Sequence, residues 1–150
     1  MQHYLHEQNG HLKLQSTRSQ NLGFALDDSP EGLLGWLVEK SHEWMDNAHY
    51  AMPDEEVLTF VMMHWTQGAA PALRFYKAAY AEQGPYNAKE TLTTYLGAPL
   101  GVSSFPREIL SPPQDWITHM GDLRWHKEQT EGGHFASVEQ PDRLVGNMRE

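Results

Sequence analysis

The chain has 150 residues, and its 20 acidic and 11 basic side chains give it a formal net charge of −9. This length fits one domain, and the charge disfavours a nucleic-acid partner because the phosphate backbone is negative as well. The sequence contains no cysteine, which excludes a disulfide framework and a Cys-ligated zinc ion.

The sequence gives no indication of a membrane span or a signal peptide. A spanning helix needs about 20 predominantly apolar residues, and no run in this chain reaches that length. The opening residues are polar and lack the apolar core of a signal peptide. We therefore expect a soluble, cytoplasmic protein.

The first part of the chain, residues 1–85, is predicted to be helical. Residues 1–9 match part of a helix that opens without a capping residue, so we expect a truncated reading frame or a fragment. Asn9-Gly10 is a strong stop or turn signal. The small and polar residues between positions 11 and 28 favour a mixed segment without a long element.

Three more helices are predicted in this part: about 30–45, from 53 to an interruption at 66–68, and about 71–81. Ser29 can cap the first of these helices, and Pro30 suits its first position. The next helix opens with acids at the positive end of its dipole. Gly84-Pro85 is expected to close the helical part.

The remaining part, residues 86–150, is predicted to alternate strands and helices. Strands are expected at about 95–104 and 123–129, a loop or short helix carrying Trp116 between them, and a final helix at about 141–148. Parallel sheets are covered by helices on both faces, and two strands are too few to form one alone. The segment therefore resembles the edge of a larger, here incomplete, sheet.

Two side chains with complementary chemistry follow the predicted strands. Glu108 comes after a short apolar run, and His134 comes after Gly132-Gly133, where the backbone can turn sharply and expose a ring. A carboxylate bound to an imidazole fixes its tautomer and stabilises the imidazolium formed by proton transfer. On spacing alone, the alternative of a surface acid and a loop histidine that never meet stays open.

The helical part offers a phenol and several large aromatic rings. The hydroxyl of Tyr76 can donate a hydrogen bond to an oxygen atom whose bond to carbon is breaking. The alternative is a tyrosine whose ring packs on a helix while its hydroxyl is hydrated. Trp36 and Trp65, together with Phe75, could form core or could line an apolar pocket. Histidine pairs such as His3 and His6 lack a nearby carboxylate at ligand spacing, so no metal site is predicted.

Taken together, these segments resemble the C-terminal part of an epoxide hydrolase of the microsomal type, an α/β-hydrolase. The resemblance covers essentially all 150 residues. The family's cap is similar to segments 14–18, 23–30 and 32–40, and to His64-Trp65-Thr66-Gln67-Gly68 followed by Arg74-Phe75-Tyr76. Its two catalytic loops are similar to Phe105-Pro106-Arg107-Glu108 and to Gly132-Gly133-His134-Phe135-Ala136 with Glu139-Gln140-Pro141.

The resemblance implies an α/β fold, with residues 1–85 as a helical cap segment and residues 86–150 as the last strand–helix units of the hydrolase core. It implies a two-step reaction without a cofactor. An aspartate attacks an epoxide carbon while two cap tyrosines hold the ring oxygen, and a histidine aided by an acid then activates water. A small apolar epoxide would be the substrate, bound by Trp36, Trp65, Phe75, Phe105 and Phe135.

By position, Glu108 resembles the acid, His134 the base and Tyr76 one of the cap tyrosines. The other tyrosine position is occupied by His11, whose hydrogen-bonding reach and acidity differ from those of a phenol. The portion of the family that carries the nucleophilic aspartate is expected to be missing. Asp115-Trp116 is not assigned as a nucleophile because no Gly-Gly turn precedes it.

Three functional hypotheses remain. The chain is part of an epoxide hydrolase that forms no diol by itself, or a non-catalytic binding protein that dimerises or pairs with a separate N-terminal chain through an exposed sheet edge. The third is a complete small enzyme in which His134 and Glu108 activate water directly.

Overall fold

The computed structural model describes residues 3–80 and 94–149. The chain divides into two compact units, one made of Met1–Lys40 and Met52–Ala88 and the other of Ser41–Ala51 and Lys89–Glu150. The turn predicted at Gly84-Pro85, with the boundary predicted near it, lies outside the described residues.

The first unit is built from helices. They are a π-helical turn Tyr4–Gln8, α1 (Gly10–Asp28), α2 (Pro30–Trp44, whose last turn belongs to the second unit), α3 (Asp54–Gln67) and α4 (Ala70–Ala79). The three helices predicted after residue 28 are confirmed. Ser29 accepts a hydrogen bond from the Gly32 N–H at 3.0 Å, as expected of an N-cap.

The prediction of a mixed segment at residues 11–28 is wrong, because these residues lie in α1 (Gly10–Asp28), which is interrupted only by a kink at the non-helical Arg18. The turn predicted at Asn9-Gly10 is confirmed at Asn9, which separates the π-helical turn from α1. Hydroxyl groups that often disrupt helices are satisfied within this one. Ser16 donates to the carbonyl of Leu12 at 2.7 Å, four residues earlier, and Thr17 is bound in the same way. Packing supplies the stability that local propensity does not.

Small residues on α1 allow close contact with α4. Gly23 is buried, and a Cβ at this position would lie 2.9 Å from the Cβ of Ala70. The core of the unit lies beside this contact and consists of Leu26, Leu33, Val61, Ala69 and Leu73.

A tight turn between α3 and α4 sets the start of the helix that carries Tyr76. Gly68 has a φ of 76°, which favours glycine because it has no Cβ. The carboxylate of Asp27 accepts a hydrogen bond from the Ala69 N–H at 2.5 Å. The end of α1 therefore holds the beginning of α4.

The second unit contains both strands of the described residues. Its elements are β1 (Leu96–Ser104), α5 (Gln114–Met120), β2 (Gly121–Glu128), α6 (Ala136–Glu139) and α7 (Pro141–Met148), together with the segment 41–51. Both predicted strands and the final helix are confirmed, and the segment carrying Trp116 is the short helix α5.

In the described residues, β1 and β2 form a two-stranded parallel sheet, in which Ser104 pairs with Glu128 at the carboxyl ends. The register shifts near Pro99, which lacks the N–H that a regular ladder needs. In residues 3–80 and 94–149, no helix combines the length and apolar character required to cross a membrane.

Two glycine substitutions test the packing of α1 against α4. Gly23→Ala should lower the free energy of unfolding by about 1–3 kcal/mol, because the new methyl group overpacks the contact with Ala70. Gly35→Ala on α2, where a Cβ meets nothing within 4 Å, should raise it by about 0.5–1 kcal/mol. Urea-induced unfolding measures both, and equal effects of the two substitutions would contradict the packing described.

Candidate active site

The loops that follow β1 and β2 continue the pairing of the two strands. Gln129 donates its N–H to the Ser104 carbonyl at 2.8 Å. Farther along, Arg107 donates its N–H to the Gly132 carbonyl at 3.1 Å and forms a parallel bridge with Gly133. The residue after each bridged position is one of the predicted site residues, Glu108 on one loop and His134 on the other.

Glu108 and His134 are brought together by this pairing. Nδ1 of His134 lies 2.6 Å from Oε1 of Glu108, and the Ile109 N–H donates to the same oxygen at 2.7 Å. Both side chains are partly accessible, at 38 % for His134 and 32 % for Glu108. The pair can therefore meet a small molecule, and its catalytic role stays a prediction.

The charge state of Glu108 determines which nitrogen of His134 carries the proton. Partial burial raises the pKa of Glu108, but the hydrogen bond and charge of His134, with the N–H groups of Ile109 and Leu110, outweigh it and hold the pKa below its ordinary value. An ionised carboxylate can only accept a hydrogen bond. Nδ1 therefore carries the proton, and Nε2 of the neutral ring is the basic nitrogen.

Two aromatic rings fix the orientation of the imidazole. The ring centroid of Trp44 lies 5.4 Å from that of His134, with an interplanar angle of 77°. Phe135 approaches the imidazole edge-on at 5.2 Å and stacks on Trp44 at 6.3 Å. Trp44 also accepts a hydrogen bond from the His134 N–H at its carbonyl, at 2.9 Å.

The two glycines before His134 are required by the space around the loop. Gly132 has a φ of 103°, and a Cβ there would lie 2.8 Å from the ring of Phe105. A Cβ at Gly133 would collide with the carbonyl oxygen of Trp44. Any larger residue would therefore displace the loop that presents the imidazole.

Tyr76 lies on α4 in the first unit, in a group of phenols. Its ring stacks on Tyr80 at 5.8 Å and meets Phe75 edge-on at 6.5 Å. Burial raises the pKa of Tyr4, and Tyr80 and Tyr76 act in the same direction. The role expected for Tyr76 stays a prediction.

His11 is the second residue of α1, and its ring is half-buried. Its Nδ1 is 2.9 Å from the carbonyl oxygen of Gln8, which can only accept, so Nδ1 carries the proton. Burial lowers the pKa of His11; the Gln8 carbonyl opposes this effect, and the charge of Lys40 lowers the pKa further, whereas Glu39 raises it. The net shift is downward, which favours a neutral ring with Nε2 as an acceptor.

The five residues expected to bind substrate have different environments. Trp36 and Trp65 pack against the core of the first unit, whereas Phe75 is 60 % exposed. Phe105 is buried beneath Gly132, and Phe135 stacks on Trp44. A contribution of these rings to a substrate pocket stays a prediction.

Sequence reasoning assigned no role to two buried carboxylates beside His134. Asp46 accepts a hydrogen bond from the Gly132 N–H at 3.0 Å, and Glu139 accepts one from the Phe135 N–H at 3.0 Å. Glu139 lies in the first turn of α6, where an acid is a known capping signal. Asp46 is 86 positions from Gly132, and no local pattern indicates this contact. In the described part of the chain, no group of three or more potential ligands is placed to hold a metal ion.

No protein-family model matches the chain, but individual relatives do. Epoxide hydrolase 1 of Sus scrofa is 31 % identical over an alignment 157 residues long, which includes 97 % of this chain and 34 % of the relative. A putative epoxide hydrolase of Stigmatella aurantiaca is 36 % identical over 148 residues, covering 94 % and 32 %. The chain thus spans about a third of the length of these relatives.

Solved structures give the same result for the fold. The Aspergillus niger epoxide hydrolase matches with a TM-score of 0.84 and 28 % identity, over 99 % of this chain and 36 % of that one. The juvenile hormone epoxide hydrolase of the silkworm Bombyx mori matches with a TM-score of 0.88 over 97 % and 36 %, at 21 % identity, which bears on the fold alone. The resemblance and the fold class inferred from the sequence are confirmed.

The interaction between His134 and Glu108 can be measured through the titration of the carboxyl group. His134→Ala should raise the pKa of Glu108, because it removes the hydrogen bond and the charge that oppose burial. The midpoint is followed by the carboxyl ¹³C chemical shift. His119→Ala, on the exposed face of α5, is the matched control and should leave the midpoint unchanged.

The same shift predicts a pH dependence of stability. The folded pKa of Glu108 lies below the ordinary value of 4.5, so its stabilisation is fully present above pH 4.5 and is lost as the pH falls through the folded pKa. The free energy of unfolding should therefore fall more steeply in this acidic range for the native chain than for Glu108→Gln. Parallel pH profiles of the two proteins would contradict the shift.

Proposed function

Because the chain is homologous to about a third of the length of the epoxide hydrolases and shares their α/β-hydrolase fold, we propose that it supplies the water-activating half of an epoxide-hydrolysing site. The supporting observation is the 2.6 Å contact between His134 and Glu108 on two loops that follow adjacent parallel strands. The substrate is a small apolar epoxide, and the product is a vicinal diol.

The first step of the proposed reaction requires a nucleophilic aspartate. No residue of this chain is assigned that role. Its carboxylate attacks an epoxide carbon, the C–O bond of the ring breaks, and an ester forms. The ring oxygen takes up a proton as it leaves, and Tyr76 is the proposed donor. We propose that the aspartate lies in the segment of the family's proteins that is not matched by these 150 residues.

The second step uses the residues described above. Nε2 of His134 takes a proton from water, and the resulting hydroxide attacks the ester carbonyl, which releases the diol and restores the aspartate. The proton on the imidazolium then returns through solvent to the phenolate that Tyr76 became in the first step. Glu108 holds the proton on Nδ1 and stabilises the imidazolium that forms. The partial accessibility of both side chains supports the entry of water at this point.

A second candidate function is binding without catalysis, through a sheet edge. The described sheet has two parallel strands, and Leu96 to Pro99 of β1 are exposed. Parallel strands are normally covered, so the edge suits pairing with a further strand, from a second copy or from a separate N-terminal chain. This reading predicts that no variant of the acid–histidine pair affects any reaction.

A chimera tests the catalytic proposal. The Aspergillus niger epoxide hydrolase, with its matched segment replaced by these 150 residues, supplies a complete hydrolase framework. The chimera should convert styrene oxide to its diol. His134→Ala should lower the rate about 10²–10⁴-fold, because general-base catalysis contributes that much, and Glu108→Gln should lower it about tenfold or more.

Mass spectrometry identifies the step that is lost. The His134→Ala chimera should accumulate a protein adduct heavier by one epoxide, because the ester forms but is not hydrolysed. The His119→Ala chimera is the control and should form diol at the parental rate without accumulating the adduct. A folded chimera that never forms diol, or a His134→Ala chimera that forms it normally, would support the binding function instead.

The tautomer of His11 gives a further prediction for ring opening. Its neutral ring donates through Nδ1 to Gln8 and presents Nε2 as an acceptor, whereas the leaving oxygen requires a donor. His11→Tyr should therefore accelerate ester formation in the chimera, by about tenfold or more. Single-turnover mixing at neutral pH measures this step. His11→Phe has a ring without a donor and should give no acceleration; equal gains for Tyr and Phe would contradict the argument.

A further inference from the structure

The loop that carries His134 is held on both sides by carboxylates that are almost fully buried. Glu139 is 6 % exposed and Asp46 is 4 % exposed. Buried carboxylates are unfavourable unless their oxygens are hydrogen-bonded. Their partners here therefore indicate what the two groups do.

Glu139 joins two segments that are far apart in the sequence. Its Oε1 accepts the N–H of Phe135, the residue after His134, at 3.0 Å. Its Oε2 accepts the N–H of Asp46 at 2.7 Å, 93 positions away. One carboxylate thus connects the His134 loop to the segment that follows α2.

Asp46 completes the arrangement on the other side of the histidine. Its Oδ2 accepts the N–H of Gly132 at 3.0 Å, two residues before His134. His49 also binds Oδ2, at 2.8 Å, from a more exposed position. The carbonyl of Trp44 accepts the His134 N–H itself, so the N–H groups of positions 132, 134 and 135 are all anchored to buried acceptors.

The chemistry of this arrangement requires a carboxylate at position 139. Two N–H donors point at it, and a carboxylate offers an acceptor to each. A glutamine of the same shape has one acceptor and would turn an NH₂ group toward the second donor. One buried N–H would then have no partner, which is more costly than losing an exposed hydrogen bond.

We propose that Asp46 and Glu139 are positioning residues, which hold the backbone on both sides of His134 so that its Nδ1 reaches Glu108. The catalytic consequence of this inference rests on the proposed function, whereas its structural part does not. Neither carboxylate is hydrogen-bonded to the imidazole of His134, and both act through the backbone that carries it.

The titration of Glu108 in the 150-residue chain gives a readout away from the substituted position. In Glu139→Gln, the His134 loop should lose its fixed position, so the Glu108 midpoint should move upward, toward that of His134→Ala. Hydrogen exchange of the His134 and Phe135 amides should become at least about tenfold faster. Glu139→Asp keeps a carboxyl group at this position. Its Glu108 midpoint and amide exchange should therefore lie between those of the native chain and those of Glu139→Gln.

Each variant has a matched control on the same unit. Glu131→Gln removes a carboxylate that pairs with Arg143 near the same loop and should change neither readout. Asp46→Ala is the second test and should also raise the Glu108 midpoint. His49→Ala removes the other partner of the same Asp46 oxygen and should leave the midpoint in place. Amide exchange in β2 and α7, which belong to the same unit as the substitutions, reports whether each variant is folded.

Two results would overturn the inference. One is a wild-type Glu108 midpoint in both Glu139→Gln and Asp46→Ala. The other is exchange that rises equally across β2, α7 and the loop, because this would assign the carboxylates a general stabilising role. The readouts involve no epoxide, so a chimera without diol formation would reject the proposed function and leave this test intact. A chimera that keeps full activity with Glu139→Gln would reject the catalytic consequence alone.

Discussion

The parallel pairing of β1 with β2 is the constraint on which the candidate site depends. Parallel strands deliver the residues after their carboxyl ends to the same edge of a sheet. Here the pairing extends beyond the strands to the bridge between Arg107 and Gly133. Glu108 and His134 each follow a bridged residue, so their side chains meet at 2.6 Å although 26 positions separate them. The contact is thus a consequence of strand register rather than of a local motif.

Carboxylates serve two different purposes around the imidazole. Glu108 is partly accessible and uses one oxygen to accept from the ring, so its negative charge is available to stabilise an imidazolium. Asp46 and Glu139 are buried, and the N–H groups of the main chain satisfy them. The backbone N–H of Gly132 holds the pKa of Asp46 below its ordinary value against the effect of burial, and His49 and Ala48 act in the same direction. Asp46 therefore favours its charged form, and neither buried carboxylate competes for the ring proton.

The sequence predicted those features that have a local cause. Ser29 and Pro30 fix the start of α2 through capping and a preset φ, and the glycines before His134 mark a sharp turn. The helix α1 was missed because its stability depends on a distant partner. Glycine normally destabilises a helix, but at position 23 it allows close contact with Ala70. The contact of Asp46 with the loop was unpredictable for the same reason, as nothing near position 46 indicates position 132.

The two histidines of the proposed reaction show why a shared tautomer does not give a shared role. His11 and His134 both donate from Nδ1, the first to a carbonyl and the second to a carboxylate, so both neutral rings have a basic Nε2. Water activation requires a base, and His134 meets this requirement with an anion that stabilises the cation formed. Departure of the epoxide oxygen requires a hydrogen-bond donor, whereas Nε2 of neutral His11 is an acceptor. The proposed activation of water therefore uses two residues of this chain that are in contact, whereas the proposed ring opening depends on the phenol of Tyr76.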